Sequence, residues 1–158
     1  MNDYVIPGFI DIHIHGSKGA DVMDGDIDAL EVISKSIYKQ GVTSYLATTM
    51  TDSNGQILKS MQAIKLYNEQ SNCQSAKIAG VHLEGPFISP GKIGAQNPSY
   101  LQEADVNKLA TWHAACNNLI KKITIAPEIK NADKVIQFCN HKNIISSIGH
   151  TEPFQISV

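Results

Sequence analysis

Several features that would assign this chain to a class at once are missing. It has no basic run or stripe and a net charge of −2, so it lacks the electrostatic footprint of a nucleic-acid-binding protein, and no nucleic-acid partner is expected. No segment approaches the roughly 20 apolar residues needed to cross a bilayer, so no membrane association is expected. Met1-Asn2-Asp3-Tyr4 has neither the basic region nor the apolar stretch of a secretory signal. The 3 cysteines (Cys73, Cys116 and Cys139) are odd in number, widely spaced and without a CxxC pair. They read as reduced, partly buried thiols of a cytoplasmic protein. No Gly-x-Gly-x-x-Gly follows the first strand-like segment, which weakens a dinucleotide-binding reading. Gly16-Ser17-Lys18-Gly19 is too short a signal to count as a phosphate cradle. Internal repeats and low-complexity linkers are absent too.

What remains is an ordinary globular composition. The chain has 158 residues, 42% hydrophobic and 18% charged, enough for one domain with a buried core. Strand-like and helix-like segments alternate throughout. Residues 9–15 read as a strand. After a turn-like 16–25 comes a helix capped by Asp26 or Asp28, with Ile27, Leu30, Ile33 and Ile37 on one face, and Gly41 ends it. Residues 42–50 are strand-like. A second helix follows Ser53-Asn54, with Ile57, Met61 and Ile64 at helical spacing. Residues 78–84 form a third strand, stopped by Gly85-Pro86. A helix over about 103–118 carries Val106, Leu109, Trp112 and Cys116. Residues 122–127 give a fourth strand. The helix at 132–141 buries Val135, Ile136 and Cys139 or Phe138, and 144–150 is the fifth strand.

Repeated β-α units of this length predict a parallel sheet with right-handed crossovers. The choice lies between an open doubly wound sheet and part of a (β/α)8 barrel. Polar candidates at the C-terminal ends of several strands favour the barrel. A complete TIM barrel takes about 250 residues and eight strands. The expected fold is therefore α/β, a partial (β/α)8 TIM barrel comprising about the first five β-α units.

The candidate chemistry begins at Ile10-Asp11-Ile12-His13-Ile14-His15-Gly16. Alternate residues of a strand share a face, so His13 and His15 lie together, opposite Ile10, Ile12 and Ile14. That is half of a metal site; the plainer reading is a histidine pair on an exposed edge strand. Glu84 ends the third strand and would point its carboxylate into the rim loops, or merely cap the next turn. His150 occupies the equivalent place on the fifth strand, or a frayed terminus. Together these N and O donors suit a hydrolytic divalent metal. His82 shares the face of Glu84 one pleat deeper, where it is expected to hydrogen-bond a neighbour and orient a ligand. His113 and His141 fall in helices as surface or packing residues. Glu128, after Ala126-Pro127, is a weaker site candidate and equally a first-turn acid of the next helix. A metal with open positions implies hydrolysis of an amide or related bond, which also needs a general base. None of Asp11, Asp21, Asp24, Asp26, Asp28, Asp52, Asp105 or Asp133 stands at the end of a late strand, so no catalytic residue is assigned.

These residues resemble the N-acetylglucosamine-6-phosphate deacetylases of the amidohydrolase superfamily over essentially the whole chain. The likeness rests on Pro7-Gly8-Phe9-Ile10-Asp11-Ile12-His13-Ile14-His15-Gly16, on 43–51, on Val81-His82-Leu83-Glu84-Gly85-Pro86-Phe87, on Ala126-Pro127-Glu128 and on Ser147-Ile148-Gly149-His150-Thr151. The His-Leu-Glu-Gly-Pro block followed by Lys92-Ile93-Gly94-Ala95-Gln96 is specific to these deacetylases, whereas His-x-His is shared across the superfamily. The resemblance implies removal of the acetyl group from N-acetylglucosamine 6-phosphate, giving glucosamine 6-phosphate and acetate in amino-sugar catabolism. It implies one or two divalent ions, zinc, iron or similar. Glu84 and His150 match metal ligands, and His13 and His15 match the pair that some members use for a second ion. Ala95 and Gln96 match the region that contacts the sugar, though many relatives carry His in place of Gln96. The implied partner is a small-molecule amino-sugar phosphate, and the complete enzyme is expected to be a homo-oligomer.

On this resemblance residues 1–158 are the N-terminal part of the barrel. The small β-domain of the family, its later strands, its next ligand His and its catalytic Asp are expected to lie outside the chain. Residues 152–158 leave the family pattern where a helix should begin. The expectation is a truncated chain or fragment with little or no deacetylase activity alone. Two alternatives stand beside it. One is another superfamily activity such as a cyclic amidase, against which the Glu84 block and Ala95-Gln96 argue. The other is a non-catalytic remnant that binds metal or a partner.

Overall fold

Apolar β-branched runs between amphipathic helices build a parallel main sheet backed by helices. The computed structural model describes residues 4–70 and 74–152. Met1-Asn2-Asp3, Cys73 and the expected helix start at 153–158 lie outside the described residues. The elements are β1 (Phe9–Ile14), β2 (Gly16–Ser17), β3 (Ala20–Asp21), α1 (Ile27–Tyr38), β4 (Val42–Thr48), α2 (Asn54–Asn68) and β5 (Lys77–Glu84). They continue as α3 (Val106–Ala115), β6 (Ile120–Ile125), α4 (Ala132–His141) and β7 (Ile145–Ile148).

The main sheet is 5-stranded in the order β1-β4-β5-β6-β7, and every neighbouring pair is parallel. The order follows the chain without reversing, so the switch point of a doubly wound sheet is absent and the winding is that of a barrel arc. One face packs against the helices: Tyr45, Ala47, Val81, Leu83, Ile123 and Ile125 share a buried core with Ile33, Met61 and Trp112. The other face carries Thr48, His82, Glu84 and Thr124, which are polar yet buried.

Helix phases follow the sequence pattern, and the starts of α1, α2 and α3 are set by side-chain caps. Asp26, rather than Asp28, caps α1, its Oδ1 accepting from the Ala29 N–H at 2.7 Å. Ser53 Oγ accepts from the Gln56 N–H at 3.1 Å to start α2. Trp112 Nε1–H donates to Asn54 Oδ1 at 2.8 Å and ties α3 to the head of α2. Helix α3 is shorter than expected at both ends. Asp105 caps the Asn107 and Lys108 amides at its start, and Asn117 and Asn118 adopt φ of 54° and 61° just beyond its end. That early stop lets β6 begin at Ile120 instead of Lys122. The turn-like 16–25 contains the small antiparallel hairpin β2–β3 and a capped turn over Val22–Asp24. Cys116 and Cys139 are free and fully buried.

Among the described residues, strand β1 pairs with β4 alone and β7 with β6 alone. Both carry uncovered apolar side chains: Phe9, Ile10 and Ile12 are 60%, 67% and 56% exposed, and Ile145 and Ile148 are 67% and 68% exposed.

Candidate metal centre

The polar residues converge at the C-terminal ends of the strands. His13 and His15 project from the same face of the β1 end, their Nε2 atoms 3.2 Å apart. Glu84 ends β5, on the far side of β4 from β1. Its Oε1 lies 3.3 Å from His13 Nε2 and 3.6 Å from His150 Nε2, and its Oε2 lies 3.1 Å from His15 Nε2. One donor atom from each of His13, His15 and Glu84 falls within 4.8 Å of the others. His150 lies outside that three-residue group and meets it through Glu84.

Hydrogen bonding fixes where the protons sit. His15 Nδ1 is 3.2 Å from the Thr48 carbonyl and His150 Nδ1 is 2.8 Å from the Lys92 carbonyl. A carbonyl only accepts, so both Nδ1 atoms carry hydrogen and both Nε2 atoms turn toward Glu84. In the neutral ring, His15 Nε2 then presents a lone pair to a carboxylate oxygen 3.1 Å away. Such a contact needs positive charge between the two atoms, either a proton or a cation. With a proton there, the hydrogen bond to Glu84 raises the pKa of His15 above its usual value, against the opposing effect of burial. Burial pushes the Glu84 carboxyl up, but the His15 hydrogen bond and the charges of His13 and His15 outweigh it and hold the group at about 2. Two imidazole nitrogens and a carboxylate, with the His15 ring oriented by the Thr48 carbonyl, form a group that could hold a divalent cation.

The surroundings hold this set in place. Gln96 is buried; its Nε2 donates to Glu84 Oε2 at 3.0 Å while its Oε1 accepts from the Thr51 N–H at 2.6 Å. The neighbouring Ala95 is exposed. His82 is fully buried beneath His13, their ring centroids 4.7 Å apart and nearly perpendicular. Burial, with Lys122 and His13 nearby, depresses the His82 pKa to about 3 and keeps the ring neutral. Gly85 follows Glu84 with φ of 75°, and a Cβ there would meet Thr51 Oγ1 at 2.0 Å. Only glycine fits that close approach.

Other candidates fall elsewhere. Glu128 is neither at the cluster nor in the first turn of α4: it accepts from Thr151 Oγ1 at 2.6 Å and from the Glu152 N–H at 2.8 Å, clasping the turn after β7. His113 is buried in α3, and His141 is exposed at the end of α4. Sequence reasoning missed the contributions of Thr48 and Thr124. Their signal was parity: outward Tyr45 and Ala47 in β4, and outward Ile123 and Ile125 in β6, leave both threonines facing inward.

The chain matches the amidohydrolase family over residues 4–157. It is 39% identical over 150 residues to an N-acetylglucosamine-6-phosphate deacetylase of Bacillus subtilis (strain 168), covering 94% of this chain and 38% of that protein. It is 37% identical over 149 residues to the enzyme of the same name from Lysinibacillus sphaericus, again covering 94% and 38%. A solved Mycobacterium smegmatis structure, an N-acetyl-D-glucosamine-6-phosphate deacetylase mutant in complex with N-acetyl-D-glucosamine-6-phosphate, aligns with a TM-score of 0.85 at 26% identity. That alignment covers 94% of this chain and 38% of that one. The five strands thus form a partial (β/α)8 barrel, and the chain spans about 38% of the length of these curated relatives.

Proposed function

The chain belongs to the amidohydrolase family, and we propose that it supplies the metal-holding part of a site that deacetylates N-acetylglucosamine 6-phosphate. The observation that carries this reading is the meeting of His13 Nε2, His15 Nε2 and the Glu84 carboxylate within 4.8 Å, with His150 beside Glu84. His13, His15 and Glu84 would hold one cation, and Glu84 and His150 would contribute to a second if two are bound. When bound, such a cation supplies Lewis-acid polarisation of the amide carbonyl and a lowered pKa for water.

The chain's own residues do the positioning. Thr48 and Lys92 fix the two Nδ1 protons through their carbonyls, and Gln96 steadies Glu84. Ala95, exposed on the same loop as Gln96, is where the acetamido sugar would approach. The proton shuttle and a further histidine belong, on the family resemblance, to later barrel strands. The reading carries with it a small-molecule amino-sugar phosphate as substrate and a place in cytoplasmic amino-sugar breakdown. It also implies a homo-oligomer for the whole enzyme. No helix among the described residues is long and apolar enough to cross a membrane.

Calorimetric titration of the chain with Zn²⁺ or Co²⁺, beside an acetate-release assay on N-acetylglucosamine 6-phosphate, tests this. The expected result is metal binding with little or no turnover by the chain alone. Absence of binding overturns the metal site, and robust acetate release overturns the division of the site between this chain and later strands.

A further inference from the structure

One inward-facing residue, not itself a donor in the cluster, bonds to the β1 backbone, to His15 and to His82. Thr48 ends β4 and is fully buried. Its Oγ1 accepts from the Ile14 N–H at 3.0 Å, at the residue between the two histidines. The β1–β4 register is irregular between Asp11 and Ile14, so this bond pins β1 where the ladder leaves it least defined. The Thr48 carbonyl accepts from His15 Nδ1 at 3.2 Å.

The third link runs through His82. The Thr48 hydroxyl proton goes to the Leu46 carbonyl at 3.2 Å. A hydroxyl has one proton, so His82 Nδ1, 3.4 Å away, is the donor in that contact. His82 Nε2 must then accept, and Thr124 Oγ1–H supplies the bond at 2.7 Å. The ring is held at both ends, across β4, β5 and β6, and stands edge-on beneath His13.

We propose that Thr48 is the positioning residue for the His13–His15 pair: its carbonyl orients His15, and its hydroxyl fixes the intervening backbone and, through His82, the support beneath His13. The proposal rests on the metal-site reading above. Thr48 touches no reacting atom and acts only through the two imidazoles. Neighbours of this kind around metal ligands change affinity about 10–100-fold when removed.

The test compares Thr48→Val, which keeps the branched shape and loses the hydroxyl, with Thr48→Ser, which keeps the hydroxyl. Both are titrated with Co²⁺ by calorimetry and visible absorption, with circular dichroism to follow the fold. Thr48→Val is expected to bind Co²⁺ about ten-fold more weakly or worse, with an altered absorption spectrum, and Thr48→Ser to restore both. A Thr48→Val chain that is less stable but binds Co²⁺ with unchanged affinity and spectrum overturns the proposal while leaving the metal site standing. If the original chain binds no Co²⁺, the metal reading and this proposal fall together. Should Thr48→Val not fold, Thr48→Ala removes the same hydroxyl with a smaller side chain. It is expected to weaken binding, and unchanged binding there overturns the proposal equally.

Discussion

Glu84 has both carboxylate oxygens engaged. Oε1 faces His13 and His150, and Oε2 faces His15 and Gln96. Replacing it with glutamine keeps the shape and removes the charge that the three imidazoles surround. Glu84→Gln is therefore expected to lose measurable Zn²⁺ binding by calorimetry. Binding at the original affinity would show that the ion sits elsewhere. Protons and metal compete for His15, whose pKa is raised chiefly by its hydrogen bond to Glu84. Affinity for Zn²⁺ should then weaken as pH falls through that raised value, with proton release on binding. A flat profile over this range would remove the competition.

His82 titrates in the opposite sense. Its pKa is 6.5 when unfolded and about 3 when folded, burial being the main cause. Its contribution to stability is complete above pH 6.5 and is lost as pH falls toward 3, because the unfolded chain takes up the proton first. His15, with its raised value, contributes below pH 6.5 and loses that contribution as pH rises. A His82→Asn variant isolates the first effect. Its urea-unfolding stability should fall less steeply between pH 6.5 and 3 than that of the original chain.

At the scale of elements, side-chain caps set the starts of α1, α2 and α3. Ser53→Ala removes the side-chain acceptor at the head of α2 and should cost about 0.5–2 kcal/mol by urea denaturation. Helix faces were legible in the sequence because Leu30, Ile33 and Ile37, or Ile57, Met61 and Ile64, repeat at helical spacing. The start of α3 at Val106 was not, since it depends on the Asp105 carboxylate reaching two amides. The convergence of His13, His15 and Glu84 was legible for a simple reason: each is the polar residue closing an apolar strand, and parallel strands bring such ends together. The clasp of Glu128 on Thr151 and the grip of Gln96 on Glu84 are tertiary contacts made from loops with no local period. Thr48 lay inside a segment already read as a strand. Its role became visible only once the irregular register of β1 against β4 was fixed.

Among the described residues, the main sheet is an arc of parallel strands with two open edges. Parallel sheets are normally covered on both faces and closed at the sides. Here Phe9, Ile10 and Ile12 at one edge, and Ile145 and Ile148 at the other, meet solvent. The chain on its own is expected to self-associate as concentration rises, seen by sedimentation velocity. Ile10→Lys with Ile12→Lys should shift the distribution toward monomer. A chain that stays monomeric at every concentration would show that these edges are tolerated as they stand.

The one-sided pairing of β1 also has a kinetic consequence. An outer strand bonded to a single neighbour opens more readily than an interior one, so its amides should trade hydrogen for deuterium sooner than those of β5. Two of the three clustered donors ride on this outer strand, and the third is anchored in the middle of the sheet. An ion joining them would act as a rivet across β4, and deuterium uptake over Phe9–Ile14 should slow when Zn²⁺ is added while uptake in β6 stays unchanged.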